Sequence, residues 1–106
     1  MEQEQFINFE DWLDKEMQDA EFRDEYERLG PGFQVAQLRM ARGLTQAELA
    51  QLVGTHQSSI SRLENGEKEP SLSFLRRVVE ALDGQVEVQI LARGIPRKRD
   101  SVVYNQ

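Results

Sequence analysis

Apolar positions recur along this chain at two different spacings, and the change from one to the other divides it. From Asn8 onward Phe9, Leu13 and Met17 stand four residues apart with Trp12 beside them, which lines one face of a helix. Asn8 suits the N-cap, with Asp11 at the reciprocal position. Asp19 can cap a second helix, in which Phe22, Tyr26 and Leu29 share a face and Gly30-Pro31 forms the stop. Phe33 to Arg42 predict a third helix, with Val35 and Leu38 inward and Gly43 as terminator. Thr45 and Glu48 then form a capping box ahead of Leu49, Ala50 and Val53, and Gly54 supplies the left-handed residue that closes a helix without steric cost. The helical period resumes with Ile60 and Leu63 inward, leaving Gln57, Ser58, Ser61 and Arg62 outward until Asn65-Gly66. A polar loop from Glu67 to Pro70 leads to Ser71, which caps a last helix. There Leu72, Leu75, Val78, Val79 and Leu82 are expected to close the core before Gly84 ends it. After that glycine the spacing drops to two. Val86, Val88 and Ile90 alternate with Glu87 and Gln89, the pattern of a half-buried strand. No second strand is offered by the sequence, so the ladder partner is expected in a second copy of the chain.

The two short helices around Gly54 cannot stand alone and must present something to be useful. Their outward face is small and polar, and it suits a DNA major groove, where glutamine pairs with adenine and arginine with guanine. Helix, glycine turn and helix have the spacing of a helix-turn-helix. At Leu38 to Leu82, LRMARGLTQAELAQLVGTHQSSISRLENGEKEPSLSFLRRVVEAL, the chain resembles the helix-turn-helix domain of the lambda/434 repressor and Cro family, often called XRE. Capping box, turn glycine, ENG terminus and following proline all fall in register. The resemblance implies base reading by Gln57, Ser58 and Arg62 with Ser61 at the edge. It also implies phosphate contacts from Gln46, Thr55, Asn65 and Lys68, and an ion pair between Arg39 and Glu64. His56 stands where the family places a serine or threonine cap, and histidine caps poorly, so it is read as a phosphate contact or as simply exposed. Leu52 falls outside its helix's inward stripe and is either a docking residue or a lone exposed leucine.

Charge adds a second partner. The net charge of −6 argues at first against nucleic acid, whose phosphates require cations. Residues 1–30, however, hold eleven acids and three bases, a net of −8, while residues 31–106 hold eight acids and ten bases, a net of +2. Such segregation suits two partners of opposite charge. The stretch DAEFRDEYERLGPGF, the XRE core and the short strand after EALDG together resemble HigA-type antitoxins of toxin-antitoxin operons. That resemblance implies neutralisation of a small basic RelE/HigB-like ribonuclease toxin and repression of the protein's own operon, by a homodimer on a palindromic operator. Trp12, Phe22 and Tyr26 are the candidate toxin contacts, against the ordinary alternative that this apolar face packs on the protein's own body. Two other readings stay open: a stand-alone repressor, and an acidic arm that mimics DNA and folds over the basic face.

The remaining composition excludes rather than adds. With no cysteine and one histidine there is neither a thiol nucleophile nor a recognisable metal set, so no enzyme activity, cofactor or metal is expected. No apolar run approaches the roughly 18 residues of a membrane span, and the acidic start lacks a signal peptide's basic residues, which fits a cytoplasmic, nucleoid-associated protein. The expected architecture is mainly α, a lambda-repressor-like helix-turn-helix bundle with an acidic helical extension and one C-terminal β-strand pairing across a dimer. Its divisions are residues 1–30, the bundle over 31–84, the strand over 85–92, and a tail over 93–106. The tail holds Arg93, Arg97, Lys98 and Arg99 and is read as disordered or as a DNA contact.

Overall fold

Asn8 and Asp19 open the first two helices by the same device, a side-chain oxygen that accepts from otherwise unpartnered backbone amides. In the computed structural model, which describes residues 8–94, Asn8 Oδ1 accepts from the amide of Asp11 at 3.1 Å and starts α1, Phe9–Glu16. Asp19 Oδ1 accepts from Glu21 at 2.9 Å and Phe22 at 3.4 Å and starts α2, Ala20–Ala41. The chain reverses between them, and Arg23 ties the turn by donating to the Met17 carbonyl at 2.7 Å. Gly30-Pro31 does not separate two helices with a loop. Gly30 takes φ 80°, ψ −165°, which a side chain would resist, and Pro31 restarts the helix at once, since its fixed φ suits a first turn. The result is one kinked element.

Rings hold α1 against α2. Trp12 stands edge-on to Phe22 at 5.9 Å, Phe22 lies 5.5 Å from Tyr26, and Tyr26 stands edge-on to Phe33 at 5.8 Å, so the series passes the kink. Phe9 extends it from Trp12 at 5.7 Å and also packs on the core. The acidic extension is thereby fastened to the bundle by its own aromatic face. Of the three residues expected to meet a partner, Tyr26 is buried, whereas Trp12 and Phe22 are half-buried.

The bundle itself is α2 with α3, Gln46–Val53, α4, Gln57–Asn65, and α5, Leu72–Ala81. Val35 and Leu38, Leu49 and Ala50, Ile60 and Leu63, and Leu75, Val78, Val79 and Leu82 form one core; each large side chain fully removed from water contributes about 1.5–3 kcal/mol. Leu72 departs from the expected set and is exposed, because it stands on the first turn of α5, outside the seam. Gly84 also differs in role. The left-handed residue after α5 is Asp83, at φ 60°, while Gly84 is needed for space, since an added methyl would lie 2.9 Å from Leu38 and 3.1 Å from Val79.

The expected C-terminal strand is absent: among the described residues every regular element is helical, and residues 85–92 form no ladder. Only Val86 is half-buried and packs against the core. Val88 is exposed and Ile90 is 91% exposed. Alternation states which side chains could share a face, but a strand exists only where neighbouring backbone accepts its hydrogen bonds, and no described segment exchanges backbone hydrogen bonds with this one. The pairing of Val86, Val88 and Ile90 across a dimer is therefore withdrawn. Residues 1–7 and the tail residues Arg97, Lys98 and Arg99 lie outside the described residues.

Candidate nucleic-acid interface

Thr45 and Glu48 exchange both bonds of the capping box. The Glu48 amide donates to Thr45 Oγ1 at 3.0 Å, and the Thr45 amide donates to Glu48 Oε1 at 2.9 Å. Gly54 ends α3 in the left-handed conformation, φ 84°, ψ 40°, which returns its amide to the Ala50 carbonyl and turns the chain sharply into α4. With Ile60 and Leu63 held in the core, the opposite face of α4 must look outward. Gln57, Ser58 and Arg62 are exposed there and Ser61 is half-buried. Around them His56, Asn65 and Lys68 are exposed and Thr55 is half-buried. His56 occupies the N-cap of α4 in extended conformation and makes no cap hydrogen bond.

The far end of α4 is fixed by Glu64. Arg39 Nε donates to Glu64 Oε2 at 2.7 Å and a terminal guanidinium nitrogen donates to Oε1 at 2.9 Å, while the other reaches the Leu44 carbonyl at 2.8 Å. The two side chains are 13% and 5% exposed, so the pair is largely removed from water. The hydrogen bonding to Glu64 raises the Arg39 pKa above its ordinary value; burial opposes this and the carboxylate charge reinforces it. Gln46 joins the same carboxylate, donating from Nε2 to Oε1 at 2.9 Å. Its second amide hydrogen remains for another acceptor. One carboxylate thus ties α2, the start of α3 and the end of α4.

Three contacts have no counterpart in the sequence reading. Arg42 closes the bundle by donating to the carbonyls of Leu82 at 2.8 Å and Asp83 at 3.2 Å. Arg77 donates to the Val53 carbonyl at 3.1 Å and lies 5.8 Å above the Phe74 ring. Gly32 is buried against the end of α4, where a methyl group would collide with the Leu63 carbonyl. Nothing in local periodicity marks any of them, because each joins segments far apart in sequence. Arg62 and Lys68 line an open groove of about 660 Å³ beside Ser71 and Phe74, but Glu67 and Glu69 line it too, so its charge is mixed. Leu52 stays 60% exposed.

This arrangement of two helices about a glycine turn, with a polar second helix outward, coincides with residues 35–88, over which the chain matches the helix-turn-helix family. The chain belongs to the XRE helix-turn-helix family. Within the family it is of the HigA type: it is 35% identical over 72 residues, 67% of each chain, to a Mycobacterium tuberculosis protein named "Putative antitoxin HigA2". No solved structure gives a significant match. As a member of this family the chain is a DNA-binding regulator, and α4 stands at the place of the motif's second helix, the one that such proteins set in the major groove. Among the described residues no helix is long and apolar enough to cross a membrane.

Proposed function

We propose that this protein is an antitoxin that neutralises a RelE/HigB-like ribonuclease toxin through its acidic arm, and that it represses its own operon as a homodimer on a palindromic operator. The observation that carries the proposal is the exposure of Gln57, Ser58 and Arg62 on a helix whose other end is held by Arg39 and Glu64. Gln57 and Arg62 are suited to adenine and guanine edges, Ser58 and Ser61 to either. Thr55, His56, Asn65 and Lys68, with Gln46 at the α3 N-terminus, surround them as phosphate contacts that fix register without carrying sequence. Two copies on one face of B-DNA place their recognition helices about 34 Å apart. The relative's description as an antitoxin supports the toxin half, as does the concentration of acid in residues 1–30.

The aromatic series favours a second reading. With Tyr26 buried and Trp12 and Phe22 engaged inside the molecule, a stand-alone repressor would use the arm only for its own packing. Co-expression with a small basic protein from the same operon separates the two. On the antitoxin reading the proteins co-purify, growth arrest by the toxin is relieved, and the amides of α1 and the first half of α2 gain protection from hydrogen exchange. Continued growth arrest and a monodisperse protein free of partner would establish the stand-alone repressor instead.

A further inference from the structure

Gly32, Val35 and Arg39 recur at the i, i+3 and i+7 positions of α2 and so share the face turned toward α4. Arg39 draws that face inward through Glu64, and Gly32, having no side chain, allows the helices to meet closely. The two constraints act on neighbouring residues of the recognition helix. Gly32 lies against the backbone of Leu63 and Glu64, and Arg62, the outward residue suited to a guanine edge, precedes them directly. The helix α4 has only nine residues, so a displacement at its end is not absorbed before it reaches Arg62.

Building on the DNA-reading role proposed above, we propose that Gly32 is a positioning residue for base recognition. The missing side chain lets α2 seat against the carbonyl end of α4, and this seat sets where Arg62 enters the groove. A methyl at position 32 would drive α2 and α4 apart by about 1 Å before ordinary contact returned. Recognition constellations tolerate only about 0.5 Å. Because the obstacle is backbone, no rotamer change relieves it. The bidentate pair from Arg39 would then be stretched at the same time.

The test compares Gly32→Ala with Gly84→Ala. Gly84 is also short of space, though less severely, and the atoms nearest to it, at 2.9 and 3.1 Å, belong to the side chains of Leu38 and Val79 rather than to the backbone of α4. Both variants are expected to lower the melting temperature. At a temperature where circular dichroism shows each fully folded, Gly32→Ala should lose at least tenfold in the ratio of operator to random-duplex affinity, with its random-duplex affinity and salt dependence unchanged. Gly84→Ala should keep the ratio. Hydrogen exchange on the free proteins should show faster exchange over Ile60–Gly66 in Gly32→Ala alone. Should Gly32→Ala fail to fold, Pro31→Gly loosens the same seat without a collision at an exposed position, and it should lose the ratio by a few-fold. Equal ratios in the wild type and the folded variant, or equal losses in both glycine variants, overturn the proposal. A wild type that does not distinguish the operator from random duplex refutes base reading itself, whereas a selective wild type beside an equally selective variant refutes only the role of Gly32.

Discussion

Glu64 ties the end of α4 to α2 and α3. Its carboxylate receives two bonds from Arg39 and one from Gln46 with almost no water in reach. Removing one partner of such a pair leaves the other buried and unmatched, so Glu64→Ala is expected to destabilise the fold by about 3–5 kcal/mol in urea denaturation. A loss below about 1 kcal/mol would show that the pair behaves as an ordinary surface contact. Arg62→Ala should leave stability nearly unchanged but weaken operator binding by roughly 1–3 kcal/mol per half-site and relax preference at one base pair. Uniform weakening across operator variants would remove Arg62 from base reading. The outward position of Arg62 follows from Ile60 and Leu63 alone. A bond between Arg39 and Glu64, 25 residues apart, cannot be derived from periodicity; only the family resemblance suggested it. Gly32 was silent for a related reason, since sequence shows where a glycine is but not which backbone approaches it.

At the level of elements, caps and interior spacing were legible because they involve neighbours within one turn, as Asn8, Asp19, Thr45 and Ser71 illustrate. Longer-range consequences were less so. The Gly30-Pro31 pair reads as a stop but acts as a kink, because proline is as suitable for starting a helix as for ending one. The segment after α5 reads as a strand but runs alone, and the difference is measurable. Val86→Ala should cost about 0.5–1.5 kcal/mol of stability, whereas Ile90→Ser should change it by less than about 0.5 kcal/mol. Similar costs at both positions would mean that the segment is packed along its length. The arm has its own signature. Burial raises the Tyr26 phenol above 10.0. The unfolded chain therefore loses this proton first as pH rises, so the contribution is intact below pH 10 and is lost above it through the folded value. Thermal melts of Tyr26→Phe should lack that part of the alkaline decline shown by the wild type.

Across the whole molecule, charge is distributed against the simple expectation for a DNA binder. The acidic arm is fastened to the bundle through Tyr26 and Phe33, and its field opposes the approach of a duplex at long range. We propose the corresponding division of labour, residues 1–30 for a protein partner and 31–84 for DNA. Operator affinity should fall linearly in log–log form with salt, each phosphate neutralised adding about 0.9 to the slope. Lys68→Ala should lower that slope by about 1 and leave base preference intact, as filter-binding across salt concentrations can determine. An unchanged slope would place Lys68 away from the duplex.

One further property follows from His56, which stands at the threshold of α4 without closing it. A serine or threonine there would complete the opening turn in the free protein and contribute about 1 kcal/mol. As the chain stands, the Ser59 amide bonds back to the His56 carbonyl at 2.9 Å and no side chain caps the turn, and a phosphate oxygen is well suited to the amides that precede it. We propose that this opening turn is finished by the target: part of its order is supplied by the nucleic acid on arrival, and release returns that turn to water.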